Sequence, residues 1–376
     1  MSVQKVDASE HNWFSANIAV KIQICCKDTI IIIELIIFAY KIPYTMFFST
    51  PVELPCGTLD ISHKSRLILI GSCFAGNIGA ALLDKKFNVD ANPFGVQYNP
   101  LSIATVLSRI VEGRPFDNNS PELFEHNGKW HSILHHSDFS RDSKEELIEG
   151  INGRLMKAHS AIGECDIVII TLGTAYAYTR NSDNSVAGNC HKLPGNSFTR
   201  SLLGIEEITE HISAVMQRII AINPKVKFIF TVSPIRHLRD GAHDNQKSKA
   251  TLLLAIDRLA ELFPQNTAYF PSYEIMMDEL RDYRFYADDM LHPSAKAIEY
   301  IWECFDKCYF SEATRRLNTR TAEIARGLAH RPFDPGSDTY RQFVAQLIQK
   351  IEAIEKEHPY IDFENEKRQC NTLLNR

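Results

Sequence analysis

Two short stretches carry the residue types of nucleophilic catalysis. One is Ile70-Gly71-Ser72-Cys73-Phe74-Ala75-Gly76-Asn77-Ile78-Gly79, and the other is Asp288-Asp289-Met290-Leu291-His292-Pro293-Ser294. In the first, an apolar run ends in Gly-Ser and a helix pattern follows. That geometry sets a hydroxyl at the mouth of a sheet, beside the free N–H groups of a helix N-terminus. A serine nucleophile needs such exposure, and donors for the oxyanion that forms on its substrate. Gly-Ser after a strand is also ordinary turn chemistry, so this stretch alone decides nothing. In the second stretch Asp289 precedes His292 by three residues, just before a helix pattern. Within a loop, that spacing lets the carboxylate turn back to imidazole Nδ1. It would fix the tautomer and leave Nε2 free to take a proton from a hydroxyl. The bland reading is an Asp/Ser capping cluster beside a surface histidine. The chain order Ser, Asp, His is not diagnostic.

The elements that would position these residues alternate between strand and helix. Leu67–Ile70, Ile167–Leu172 and Phe228–Val232 are continuous apolar runs ending at Gly71, Gly173 and Ser233. Ala268-Tyr269-Phe270 is a shorter fourth, stopped by Pro271. Such runs fit strands buried on both faces of a parallel sheet. Between them, Ile208, Ile212, Val215, Met216, Ile219 and Ile220 repeat at helical spacing. So do Leu252, Leu253, Ile256, Leu259 and Leu262, and Ile298, Ile301, Trp302 and Phe305. The pattern predicts a mostly parallel, doubly wound α/β sheet with right-handed crossovers. Ligands of such sheets bind beyond the carboxyl ends of the strands, where Gly71, Gly173 and Ser233 stand.

Composition narrows the functional classes. Hydrophobic residues make up 44% of the 376-residue chain and charged residues 23%, as in ordinary globular proteins. With 41 Lys+Arg against 46 Asp+Glu, the net charge of −5 lacks the basic footprint of a nucleic-acid binder. The nine cysteines are scattered without a C-x-x-C pair, which predicts reduced thiols and a cytoplasmic protein. Cys73 at a helix start would be a competing nucleophile, but burial against the sheet is the expected fate of its side chain. Cys190 and His191 are adjacent and lack metal-ligand spacing, so no metal is expected. Arg236, His237 and Lys249 follow a strand end, where they would meet an anionic or sugar substrate or pair with Asp240 and Asp244. A nucleotide-binding module is the rival from another class, with Asp90 as its acidic residue. Gly-x-Gly-x-x-Gly and the P-loop lysine are both absent, so the backbone would not approach a pyrophosphate closely.

Taken together, the serine and histidine stretches resemble the SGNH (GDSL-like) hydrolase superfamily. More closely, the chain resembles the GSCFA domain family, through Gly71-Ser72-Cys73-Phe74-Ala75. Further stretches support the likeness: Asn92-Pro93-Phe94-Gly95-Val96-Gln97-Tyr98-Asn99-Pro100, Thr171–Ala175, Asn189–Pro194 and Ser233–His237, with Asn245 and Ser248-Lys249-Ala250, then Asp289–Pro293. The resemblance implies a flavodoxin-like, three-layer sandwich with Ser72 as nucleophile, His292 as base and Asp289 as its orienter. It implies the Ser72 N–H and a glycine N–H, most plausibly that of Gly95, as oxyanion donors. The superfamily's third block, Gly-x-Asn-Asp, adds an Asn side chain. Here Gly173-Thr174-Ala175-Tyr176 has Ala at that place, so either Thr174, Asn99 or Asn245 substitutes, or the enzyme is slow or does different chemistry. Arg236 and His237 are expected substrate contacts.

The domain is expected to span residues 46–310, followed by a helical tail over 311–376. In the tail, Tyr340, Phe343, Val344, Leu347, Ile348, Ile351 and Ile354 mark one amphipathic helix. Its arginines read as a solvated face paired with Glu312 and Glu323. Residues 1–45 differ in character. Their apolar run Thr29–Ala39 is interrupted by Glu34 and is too short for a spanning helix. Three readings stand: a natural start at Met46, a membrane-associating segment, or an extra strand or helix. The overall expectation is a cofactor-free serine hydrolase acting on O-acyl esters, an O-acetylated carbohydrate among them. An O-acyltransferase, or a degenerate ligand-binding protein, is the alternative. Neither a nucleic-acid partner nor a membrane is expected, and the sequence leaves the oligomeric state open.

Overall fold

The computed structural model describes residues 50–57, 59–334 and 336–374, together with the backbone of 18–26 and 29–37. Residues 1–48 and 49–376 form separate units. In the first, Ile18–Cys26 (β1) and Thr29–Ile37 (β2) pair antiparallel, with Ile18 opposite Ile37 and Cys26 opposite Thr29. The apolar run is therefore extended over most of its length. Met46 lies outside the described residues.

In the second unit the elements run β3 (Arg66–Gly71), α1 (Cys73–Asp84), β4 (Asn88–Ala91), α2 (Pro100–Glu112), β5 (Leu123–His126), β6 (Lys129–Ser132) and α3 (Lys144–Ile162). Next come β7 (Ile167–Leu172), β8 (Tyr176–Arg180), β9 (Phe198–Leu202), α4 (Ile205–Ile222), β10 (Lys227–Val232), α5 (Gly241–Leu262), β11 (Thr267–Tyr269) and the short α6 (Ser272–Glu274). The chain closes with α7 (Ala295–Tyr309), α8 (Glu312–Ala329), α9 (Asp338–Glu357) and α10 (Glu364–Leu374).

The apolar runs are the middle of one parallel sheet, ordered β11-β10-β7-β3-β4. Counted along the chain this is the flavodoxin-like order 2-1-3-4-5, whose direction reverses between β3 and β7. The pleat sends alternate residues to opposite faces. Ile68, Ile70, Val168, Ile170, Phe228 and Phe230 pack with α2, α3, α4 and α5. Leu67, Leu69, Ile167, Ile169 and Ile229 pack with α1 and α7 on the other face. Each such side chain contributes ~1.5–3 kcal/mol by leaving water. The α/β sandwich thus follows from strands that are apolar on both sides.

Helix starts are set by side chains that accept a bond from the first turn. Ser72 caps α1, Asn99 caps α2 ahead of Pro100, and Ser294 caps α7. The terminal helices α8, α9 and α10 bury Leu317, Ile324, Val344, Leu347, Ile351 and Phe363 in a cluster of their own. Of the tail arginines, Arg316 pairs with Glu312 and Arg320 with Glu357. Glu323 pairs with Lys350, not with an arginine as expected. No helix among the described residues is long and apolar enough to cross a membrane.

Candidate functional site

A cavity of about 490 Å³ opens where the strand order reverses, past the carboxyl ends of β3, β7 and β10. The turn into α1 brings Ser72 and Cys73 to it, and the turn before α2 brings Tyr98 and Asn99. The loop after β10 brings Ser233 to Asp240, and the loop before α7 brings Leu291 and His292. The β8–β9 hairpin closes one side with Tyr176, Tyr178 and Arg200.

Ser72 is held where a strand becomes a helix. Its residue is 1% exposed, and its Oγ accepts a bond from the Phe74 N–H at 3.3 Å as the cap of α1. The turn before it is tight. Gly71 donates its N–H to Asn92 Oδ1 and accepts at its carbonyl from the Gln97 N–H, both at 2.9 Å. Opposite stands the pair read from the sequence. His292 Nδ1 and Asp289 Oδ2 lie 2.5 Å apart, and Asp289 Oδ1 accepts the backbone N–H groups of Leu291 and His292 at 2.9 Å each. Those bonds, the His292 N–H foremost, draw the Asp289 pKa down to about 2. The carboxylate is therefore charged at neutral pH and holds Nδ1 protonated. The pair sits open to solvent, the side chains 46% and 51% exposed. Among the described residues no hydrogen bond joins Ser72 to His292, although both line the cavity. Catalytic contacts of this kind commonly close only when substrate binds.

Several expected roles need correction. Gly95 does not line the cavity, and its N–H goes to the Asn92 carbonyl at 2.7 Å. The Ser72 N–H goes to the Thr171 carbonyl at 3.2 Å. Neither backbone group is free to meet an oxyanion. Gly173 donates to the Tyr98 carbonyl at 2.8 Å. Thr174 lines the cavity, but its Oγ1 is engaged by Ser248 Oγ and the Tyr176 N–H. Asn245 is buried away from the cavity, and its Oδ1 receives the His237 N–H at 2.9 Å, which fixes the loop that carries His237. Asn99 is different. Its Oδ1 accepts the Ser102 N–H at 2.8 Å, which orients the amide, and its Nδ2 has no partner among the described residues. Cys73 lines the cavity with its Sγ 3.4 Å from Tyr98 Oη, so it is not buried against the sheet as expected. Asp240 pairs with Arg200 and Asp244 with Lys247, so neither serves Arg236, His237 or Lys249. Asp90 is bound by Arg154 at 2.6 Å, which gives it a structural partner in place of a ribose.

The model of the GSCFA family matches residues 66–305, and that of the GSCFA domain protein C-terminal domain matches residues 321–376. The chain belongs to the GSCFA family. No curated protein matches this GSCFA sequence. Among solved structures it is similar to a carbohydrate esterase family 2 enzyme with a carbohydrate-binding domain from Corynascus thermopiles (Myceliophthora fergusii). That match has 14% identity and a TM-score of 0.33, and it covers 69% of this chain and 67% of the other. It is also similar to an acetyl xylan esterase, Est2A, from the rumen bacterium Butyrivibrio proteoclasticus. There identity is 11% and the TM-score 0.34, over 68% of this chain and 64% of the other. The GSCFA chain thus spans about two-thirds of each of these proteins.

Beneath the GSCFA cavity lies a residue whose role the sequence did not give. Lys249 is 1% exposed, and its Nζ donates to the Gly173 and Ser233 carbonyls at 2.7 Å each. It ties together the loops that leave β7 and β10, while burial brings its pKa down to about 7. The β8–β9 hairpin was missed as well, with its cavity residues Tyr176, Tyr178 and Arg200. The alternation Tyr176-Ala177-Tyr178-Thr179-Arg180 was the available signal. Among the described residues no three His, Cys, Asp or Glu side chains are grouped to hold a metal ion.

Three buried histidines and the half-buried His237 make this GSCFA fold sensitive to acid. Burial lowers the pKa of His135 to about 3 and those of His63, His191 and His237 to about 4. An unfolded histidine titrates near ~6.5. Below that pH the unfolded chain binds protons that the folded chain refuses, so stability falls with pH. The loss should develop from about pH 6.5 down to about pH 4. Urea midpoints measured across that window should drop steadily. A flat profile would contradict the neutral state of these rings in the folded chain.

Proposed function

We propose that this chain is a serine hydrolase of the SGNH type, acting on O-acyl esters with Ser72 as nucleophile, His292 as general base and Asp289 as its partner. The observation that carries the reading is the Asp289–His292 pair at the cavity that Ser72 also lines. His292 Nε2 takes the Ser72 proton as Oγ bonds to the acyl carbonyl carbon, and the carbonyl π pair moves to oxygen. The tetrahedral intermediate collapses by breaking the bond to the alcohol oxygen, which takes the proton back from Nε2. Water then repeats the sequence on the acyl-enzyme, releasing a carboxylic acid and restoring Ser72. Asp289 stabilises the imidazolium formed in both halves. Asn99 Nδ2 and the Cys73 N–H, the one N–H of the first turn of α1 with no acceptor among the described residues, serve the oxyanion in place of the Asn side chain that Ala175 replaces.

The substrate is a small-molecule or carbohydrate acyl ester, whose sugar rings the faces of Tyr98, Tyr176 and Tyr178 would suit. An O-acyltransferase would run the same first half with a second alcohol in place of water. The engaged N–H groups of Ser72 and Gly95 favour a rival reading, a catalytically degenerate ligand-binding protein.

Intact-mass labelling with a fluorophosphonate separates these. Wild type is expected to take one adduct, and Ser72→Ala and His292→Ala none. Loss of the α1 cap by Ser72→Ala costs about 1 kcal/mol, and Ser72→Gly only ~0.3 kcal/mol. The glycine variant therefore serves as the folded control. A folded wild type that takes no adduct overturns the hydrolase reading.

A further inference from the structure

We infer that the cavity binds an anionic group, a carboxylate or a phosphate, between Arg236 and Arg239. Under the hydrolase reading, on which this part rests, the alcohol half of the ester carries that charge. Three arginines and one carboxylate, that of Asp240, line the cavity. Arg200 is already neutralised. It pairs with Asp240, whose side chain is only 4% exposed, and its guanidinium lies 3.7 Å from the Tyr176 ring centre. Arg236 and Arg239 have no carboxylate within ion-pair distance among the described residues. Arg236 stacks 4.3 Å from the Tyr286 ring centre and gives one N–H to the Met290 carbonyl at 2.6 Å, while its buried Nε–H has no acceptor. Arg239 stands exposed on the turn Leu238–Asp240, two residues past His237.

The lining charge is thus three minus one, or +2, in a chain of net −5. Cations at a low-dielectric wall focus the field into the cavity and raise the local concentration of anions. The planar fork of a guanidinium also matches carboxylate and phosphate oxygens. A neutral alcohol would use neither property.

Titration calorimetry with glucuronate, glucose 6-phosphate and glucose tests this without relying on catalysis. One or both anions should bind at least about tenfold more tightly than glucose, as a charge-assisted hydrogen bond allows. Arg239→Gln should remove about tenfold or more of that affinity, and Arg239→Lys should keep part of it. Which anion binds tells carboxylate from phosphate. Equal binding of all three, or an Arg239→Gln chain that binds anions like wild type, overturns the inference. Fluorophosphonate labelling of the same samples keeps the two ideas apart. An adduct without anion preference sinks the anion site alone, and anion binding without an adduct sinks the hydrolase reading alone.

Discussion

A Gly71→Ala chain is expected to give no stably folded protein. Gly71 sits at φ +148°, and a Cβ there would stand 2.2 Å from the Thr171 carbonyl oxygen and 2.8 Å from Thr171 Cβ. Thr171 belongs to β7, the neighbour of β3 at the centre of the sheet, so neither backbone can give way alone. Separating them would break the ladder that carries Ser72. The expected cost exceeds about 4 kcal/mol, a large part of a typical domain's stability of roughly 5–15 kcal/mol. Gly128→Ala is the clash-free control. It has φ +73° with nothing within 4 Å of the added methyl, so it carries a positive-φ cost with no clash. Soluble yield and thermal melts of the two variants are the measurement. A Gly71→Ala chain that melts beside Gly128→Ala would show that the strand end yields more easily than its contacts indicate.

Asn99→Asp is expected to slow acylation of Ser72 by about 100–1000-fold, the usual effect of losing one oxyanion donor. The substitution keeps the atom that matters for folding. Aspartate caps a helix as well as asparagine does, so the bond from the Ser102 N–H to Oδ1 survives and the start of α2 is kept. It removes the N–H that faces no partner and puts an acceptor there. Asn99→Ala would lose cap and donor together and mix the two effects. The rate constant of fluorophosphonate labelling, read beside a melting curve, separates them. Labelling within about threefold of wild type would remove Asn99 from the oxyanion site.

The parts legible in the sequence were those written in local pattern. Three strands, β3, β7 and β10, showed as apolar runs because burial on both faces leaves no polar alternation to blur them, and the half-buried edge strand β11 showed only as a shorter run. The Asp289–His292 contact was legible because three residues of loop suffice to bring the carboxylate back to the ring. β4 was not. Its four residues, Asn88-Val89-Asp90-Ala91, hold a charge whose partner, Arg154, stands 64 positions away. Lys249 read as a substrate contact or a partner of Asp240 and Asp244 for the same reason, since only the fold sets two bare carbonyls around it. The oxyanion donors failed for a different cause. A motif names residue types, but whether an N–H is free depends on which carbonyl the neighbouring strand or turn offers. Thr171 and Asn92 offer theirs to Ser72 and Gly95.

If Ser72 is the nucleophile, as proposed, the open setting of Asp289 and His292 bears on where its acyl group would go. Transfer to a second alcohol is helped by keeping water from the base, because bulk water competes with the acceptor for the acyl group. A base half in solvent needs no recruitment step for water, so deacylation has its co-reactant in place from the start. On the proposed reading, an acyl-enzyme on Ser72 should be short-lived, and the acyl group should leave as free acid more readily than it passes to another alcohol.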